Sequence, residues 1–284
     1  MKKETFITVK DYSVSGEEFQ LLYNKEFDLL ETHPQPSPEK LREYYNSEDY
    51  ISHTDNRRNL FEQLYHFVKM ISLKRKLKII NGFSSEGMKL LDFGCGTGDF
   101  LKIAQENNWD GIGIEPNDRA REIANRKTNS SVFLPIHISK LKSNSFDVIT
   151  LWHVLEHLPK FEDQFSQLES LLKPNGTLII AVPNFKSFDA NYYQNFWAAY
   201  DVPRHLWHFS KNSISKLADL YDMKITKILP LKFDAYYVSL LSEKYKTGKM
   251  KPIKSFWTGF RSNLQAKRNL EYSSLIYIIK KGKN

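Results

Sequence analysis

The sequence predicts an α/β fold: a doubly wound sheet of about seven strands, mostly parallel, with a strand-and-helix extension before it. Three observations carry this. From residue 88 onward, short apolar runs alternate with segments of helical period. The first run, Leu90-Leu91-Asp92-Phe93, ends in Gly94-Cys95-Gly96-Thr97-Gly98 and then a helix. A proline–glycine turn, Pro174-Asn175-Gly176, leads into another apolar run at Thr177–Val182.

The elements follow in order. Phe6–Val9, Phe19–Tyr23 and Phe27–Leu30 read as short strands separated by turn-like residues. Residues 32–38 read as an extended linker, because each proline pushes its predecessor out of the helical region. A helix starts near Pro38, and residues 57–80 form a long basic amphipathic helix. Its apolar stripe runs through Leu60, Leu64, Phe67, Val68 and Ile71, meets Lys74 and Arg75, and shifts to Leu73, Leu77 and Ile80. Then come strands at Leu90–Phe93, Gly111–Glu115, Val132–Leu134, Phe146–Leu151, Thr177–Val182, Lys224–Leu229 and Ser274–Ile279. Helices fall at Phe100–Asn107, Arg119–Arg126, Phe161–Leu172 and Lys211–Tyr221. The reading divides the chain into a β extension (1–38), a helical arm or lid (39–87) and a main domain (88–284) with a basic insertion at 234–271.

The bulk numbers exclude several classes. With 284 residues and 41% hydrophobic composition, one large core is affordable. The single cysteine, Cys95, rules out an intrachain disulfide framework or cysteine metal cluster and suits a reducing, cytoplasmic setting. We expect no signal peptide and no membrane span, since no run of eighteen apolar residues occurs. The net charge of +8 gathers in the insertion, where basic residues flank Phe256, Trp257, Phe260 and Leu264 at helical spacing. That insertion reads as a solvated face, a lid or dimer surface, or a contact with anionic lipid through 244–268. No RNA-binding module is evident, so nucleic acid is not the expected partner; the chain is expected as a monomer or homodimer.

The glycine turn is the chemical centre. Glycines 94, 96 and 98 let the backbone approach a ligand, and a helix N-terminus follows. Glu115, at the end of the next strand, is placed to accept both hydroxyls of a ribose. The dinucleotide pattern G-x-G-x-x-G needs glycine at 99, where Asp99 stands, which argues against a nicotinamide oxidoreductase. Trp152 and His153 lie just past the fourth strand of the sheet, where ligands sit in open parallel sheets.

Residues 88–184 resemble the core of a class I S-adenosylmethionine-dependent methyltransferase, a Rossmann-like fold. The loop Asp92–Gly98, Glu115, Phe146-Asp147-Val148 with Leu155-Glu156-His157-Leu158, and the Leu172–Gly176 turn match that family's successive motifs. Asp201-Val202-Pro203-Arg204-His205-Leu206-Trp207-His208-Phe209-Ser210 resembles a signature of a bacterial small-molecule subgroup. The resemblance implies S-adenosylmethionine as cofactor, held by Asp92, Gly94, Cys95, Gly96, Gly98, Glu115, Pro116, Ile138, Ser139, Trp152 and His153. It implies a last strand that runs antiparallel. The adenine contact departs from the family, because Pro135–Lys140 offers no acid. Relatives often carry a zinc knuckle before a T-x-P-x-P stretch. Here Thr32-His33-Pro34-Gln35-Pro36 is kept, while Tyr23 and Glu26 stand at the cysteine positions, so a metal-less remnant is expected.

The expected reaction is methyl transfer to oxygen, nitrogen or carbon of a small acceptor: a sugar, a quinol or a lipid-linked metabolite. His205, with His208, is the candidate base. Tyr50, His53, Tyr192, Trp197 and Arg204 are the candidate acceptor pocket. The aromatic segment 188–200 either walls that pocket or packs a core. A non-catalytic cofactor-binding protein is the alternative.

Overall fold

The computed structural model describes residues 4–45, 60–83 and 88–282. The chain opens with three antiparallel strands, β1 (Glu4–Lys10), β2 (Glu18–Asn24) and β3 (Leu29–His33). The third begins later than the sequence suggests. The Asn24 side chain accepts the Phe27 N–H at 3.1 Å, and Asp28 adopts φ 55°, so Phe27 and Asp28 make the turn. It also runs on into Thr32 and His33, which the proline spacing assigns to a linker. The reason is pairing: Thr32 and His33 stand opposite Leu21 and Gln20 of β2, the Thr32 N–H donates to the Leu206 carbonyl at 3.0 Å, and Leu30 and Glu31 pair with a two-residue strand at Trp207–His208, far along the chain.

Helix α1 (Pro38–Glu43) follows, then α2 (Leu60–Asn81). The proposed pocket residues Tyr50 and His53 lie outside the described residues. On α2 the shifted stripe is borne out: Leu73 and Ile80 are buried and Leu77 is half-buried.

The main unit then alternates β4 (Lys89–Phe93), α3 (Asp99–Glu106), β5 (Asp110–Ile114), α4 (Asp118–Lys127), β6 (Val132–Phe133) and β7 (Phe146–Trp152). It continues with α5 (Phe161–Leu171), β8 (Leu172–Pro183), α6 (Phe188–Tyr193), β9 (Trp207–His208), α7 (Lys211–Leu220) and β10 (Met223–Pro230). Two helices, α8 (Asp234–Thr247) and α9 (Pro252–Asn269), fill the insertion before β11 (Ser274–Lys281). The seven-stranded sheet has the order β10-β11-β8-β7-β4-β5-β6. Strands β4 to β8 run parallel to one another, and β11 is antiparallel to both β8 and β10. Strand order reverses at β4, between β5 and β7, and that crevice is where open α/β sheets bind ligands.

One turn is corrected. Pro174-Asn175-Gly176 lies inside β8, as a bulge between the Phe146–Leu172 and Val148–Thr177 pairs. Of the two readings of the aromatic segment, the structure shows core packing. Tyr193, Trp197 and Tyr200 are fully buried and pack with Phe19, Leu21, Leu30 and Tyr44 into a core shared with the first sheet. These bulky rings cover the apolar face of the first sheet, which a small antiparallel sheet cannot bury alone.

Candidate active site

The glycine turn is fixed by the backbone of β5. Gly94 and Cys95 N–H groups both donate to the Ile114 carbonyl, at 2.8 and 3.1 Å. Glycines 94, 96 and 98 all have positive φ, which side chains resist. A Cβ on Gly94 would sit 2.4 Å from Val154 Cγ2, whereas one on Gly96 would meet nothing within 4 Å. Gly96 therefore borders open space at the loop, and Gly94 serves close packing. Cys95 Sγ fills the gap over Gly113, and burial pushes its thiol far up, so it is no nucleophile.

Glu115 is locked in place. Its two oxygens accept N–H bonds from Gly96 and Asn117, each at 2.9 Å. Burial raises its pKa, and those two donors oppose the rise. The carboxylate keeps lone pairs facing the loop. Pro116 beyond it is exposed. Asp92 is buried and accepts the Thr150 hydroxyl at 2.7 Å. Burial pushes its pKa to about 6, against the pull of Thr150 and of Lys76.

Lys76 was not anticipated. Its Nζ lies 4.6 Å from the Trp152 ring centre and 5.9 Å from that of Phe100. Burial lowers its pKa, and Asp92 and Asp234 oppose that. Trp152 Nε1, also buried, has no hydrogen-bond partner among the described residues. The only trace of Lys76 in the sequence is the pair of charges that interrupts the α2 stripe. Ile138 is buried on the one-turn helix Pro135–Lys140, and Ser139 is exposed and bonds to the Ile136 carbonyl.

Asp99, where a dinucleotide fold needs glycine, is held by Lys69 and Lys127, each at 2.7 Å. Burial raises its pKa, and the two ammonium groups outweigh this and hold it low. It clamps α2, α3 and α4 together.

Past β7, five ionisable groups gather: His153, Glu156, His157, His205 and Asp234. His153 Nδ1 is 3.3 Å from Glu156 Oε1, and its Nε2 is 3.1 Å from Asp234 Oδ2. Burial lowers its pKa, but the two carboxylates outweigh that and hold it at about 10. Glu156 is buried, and its Oε2 has no hydrogen-bond partner among the described residues. Glu156, His157 and His205 bring ligand atoms within 4.8 Å of one another. His157 Nδ1 is 3.0 Å from the Arg204 carbonyl, and His205 Nδ1 is 2.9 Å from the Ala199 carbonyl. A carbonyl only accepts, so each neutral ring donates from Nδ1 and keeps its lone pair on Nε2. Burial, then the neighbouring His205, depresses His157 to about 4. The Tyr45 hydroxyl reaches His157 Nδ1 at 2.9 Å.

The remaining assigned residues fall elsewhere. His208 is a packing residue: it is buried against Tyr200, and its Nε2 is 3.1 Å from the Thr32 hydroxyl. Trp197 is only 2% exposed and donates to Asp189 at 2.8 Å, so it packs in the core instead of standing open to an acceptor. Arg204 grips Asp201 with two bonds, at 3.0 and 2.5 Å, and reaches Asp11 at 3.6 Å. It ties the signature loop to the first sheet rather than facing an acceptor. Tyr192 is exposed on α6, stacked on Phe188. Near the expected knuckle remnant, the Tyr23 hydroxyl donates to Asp28 at 2.7 Å, and Asp28 pairs with Lys186 at 2.6 Å.

Comparison with known proteins fits this geometry. The sequence model of a methyltransferase-domain family matches residues 56–228. A demethylmenaquinone methyltransferase of Staphylococcus aureus is 28% identical over 123 residues, 38% of this chain and 51% of the relative. An uncharacterised protein of Methanocaldococcus jannaschii is 28% identical over 183 residues, 62% of each chain. A ubiquinone biosynthesis O-methyltransferase of Rhodopseudomonas palustris is 27% identical over 110 residues, 36% of this chain and 44% of the relative. The chain thus spans only about half the length of these relatives. Among solved structures, the magnesium protoporphyrin IX methyltransferase of Synechocystis PCC 6803, with bound S-adenosylhomocysteine, superposes with TM-score 0.58 at 13% identity. That match covers 87% of this chain and all of the other. A [4+2]-cyclase, SpnF, shares the fold with TM-score 0.54 at 15% identity, over 88% of this chain and 99% of the other. No helix among the described residues is long and apolar enough to cross a membrane. With the strand order, the glycine turn and the pinned Glu115, the match over most of its length places this chain in the methyltransferase-domain family, with the class I S-adenosylmethionine-dependent fold.

Proposed function

We propose that the protein transfers a methyl group from S-adenosylmethionine to oxygen, nitrogen or carbon of a small-molecule acceptor in the cytoplasm. The observation that carries this is Glu115, fixed by two backbone N–H donors beside the open space at Gly96. A fixed carboxylate next to a glycine that borders open space suits a ribose diol, and the Trp152 Nε1, unpartnered among the described residues, leaves a donor at the same crevice. The cofactor, when bound, supplies an activated methyl group on a sulfonium. With the cofactor bound, Asp92 would hold its ammonium end and Lys76 its carboxylate.

The chain's own task is alignment and deprotonation. His205 is the base: its Nδ1 is spoken for by the Ala199 carbonyl, so Nε2 is the atom that takes the acceptor's proton. Glu156 and Asp201, both held below the ordinary carboxylate range, stabilise the imidazolium that forms. For Glu156 and Asp201 alike, burial works against ionisation and neighbouring cations outweigh it. Two relatives bear quinone-biosynthesis names, which favours a quinol over a sugar as acceptor.

Calorimetry with S-adenosylhomocysteine and with NAD tests the cofactor. We expect binding of the first only, weakened about tenfold or more by Glu115→Gln or Lys76→Met. Binding of NAD alone would overturn the reading. A second reading, cofactor binding without transfer, draws on the cyclase that shares the fold. Transfer of labelled methyl to any acceptor in an extract excludes it.

A further inference from the structure

Helix α9 is packed inside out. Its buried residues are small or polar: Ser255, Thr258, Gly259, Ser262, Asn263 and Ala266. Its large apolar residues face outward: Ile253, Phe256, Trp257, Phe260 and Leu264 are 41 to 79% exposed. At about 100° per residue these five fall within an arc of roughly 100°, one continuous stripe along a helix about 27 Å long. The inward face is committed. A Cβ on Gly259 would lie 2.8 Å from Tyr236 and 3.0 Å from the Ala235 backbone, so α8 and α9 are in close contact there. Ser262 donates to the buried Asp189 at 2.7 Å. The helix therefore does not rotate to hide its rings, and the stripe is presented to whatever lies outside.

The charge around the stripe says what that is. Residues 244–268 hold eight of the 41 Lys and Arg residues and none of the 33 Asp and Glu, so the rest of the chain is formally neutral. Beside the stripe, Arg261 and Arg268 line a groove of about 450 Å³ with Phe188, Leu264, Gln265 and Asn269. The Arg261 guanidinium lies 5.9 Å from the Phe188 ring centre. An apolar stripe with tryptophan and phenylalanine, flanked only by cations, matches the boundary of an anionic bilayer: rings among the upper acyl chains, lysines among headgroups, paired guanidiniums on a lipid phosphate.

We propose that α9 docks the protein on the surface of an anionic lipid bilayer, with Ile253, Phe256, Trp257, Phe260 and Leu264 inserted and the basic residues of 244–268 on the headgroups. The surface stands on α9 alone and does not depend on the methyl acceptor. It is nevertheless joined to the active site, since Asp234 at the start of α8 contacts His153 and the Tyr236 ring of α8 stacks on Phe256 of α9.

The full chain is mixed with phosphatidylcholine vesicles, with or without about one-third phosphatidylglycerol. Trp257 is the one exposed tryptophan, since the other four are buried or half-buried. Its emission should shift to the blue and be quenched by brominated acyl chains with the anionic vesicles only. Added salt should weaken the binding at least about tenfold. Trp257→Glu with Phe260→Glu should abolish co-sedimentation and leave S-adenosylhomocysteine affinity unchanged. Lys251→Glu with Lys267→Glu, which spares the rings, should also weaken binding about tenfold. No shift with anionic vesicles, or equal binding to neutral ones, overturns the proposal. So does a dimer in sedimentation velocity that the Trp257/Phe260 variant dissociates while vesicles bind nothing, because α9 then meets a second copy. Loss of S-adenosylhomocysteine binding would bear on the catalytic reading, not on this one.

Discussion

His153 Nε2 lies 3.1 Å from the Asp234 carboxylate, which joins the loop after β7 to the first turn of α8. The insertion is thereby fastened to the active site by one ion pair. With its pKa held at about 10, against an ordinary value of 6.5, His153 is protonated at neutral pH. A raised pKa gives stability that is whole below pH 6.5 and lost as pH rises through about 10. Asp234→Asn should therefore lower stability at neutral pH by about 1 kcal/mol, a figure kept small because the pair is partly solvated. The loss should shrink toward pH 10, as read from thermal melts across that range.

Two glycines of one turn should respond differently to alanine. Gly94→Ala places a methyl against Val154 at a distance no relaxed structure allows, on a backbone with φ 72°. We expect a loss of about 2–4 kcal/mol in denaturant unfolding. Gly96→Ala meets open space, so only about 1–2 kcal/mol of backbone strain is expected. Its main effect should be on S-adenosylhomocysteine, with affinity down about tenfold or more by calorimetry.

Asp92 carries a folded-state cost. Its pKa rises from 3.8 to about 6 because burial penalises the charge. The cost is absent below pH 3.8, grows between there and pH 6, and is full above it. Asp92→Asn should therefore stabilise the free protein at pH 8 by about 1–3 kcal/mol and change little near pH 4. The same variant should bind the cofactor product more weakly. A destabilised Asp92→Asn at pH 8 would contradict the burial argument.

His205→Gln tests the base. The amide keeps a donor for the Ala199 carbonyl and loses the basic lone pair. Turnover should fall by roughly 10²–10⁴-fold with the product affinity intact. Unchanged turnover would remove His205 from that role.

Trp197→Phe separates core from pocket. It removes one of the bonds to Asp189, which Ser262 and Ser273 also hold, at 2.7 and 2.6 Å. The expected result is a loss of about 1–3 kcal/mol in stability with acceptor KM unchanged.

The sequence by itself determined the strand–helix alternation, the glycine turn and the acid after β5. All three rest on local rules: period, backbone freedom and the spacing of one βαβ unit. The shift of the α2 stripe was legible for the same reason. Tertiary structure alone decided the rest. Strand β9 exists because β3 offers an unpaired edge to Trp207 and His208, a pairing across more than 170 residues that no window contains. Arg204, Trp197 and His208 have chemistry that suits a pocket, and only their buried partners make them braces. Lys76 and Asp234 reach the active site from distant parts of the chain, α2 and α8, where they meet Asp92 and His153. In α9 the aromatic spacing was plain in the sequence. Which side faced water was not, because an amphipathic helix is defined by its neighbour, and here the neighbour is fitted to the small face.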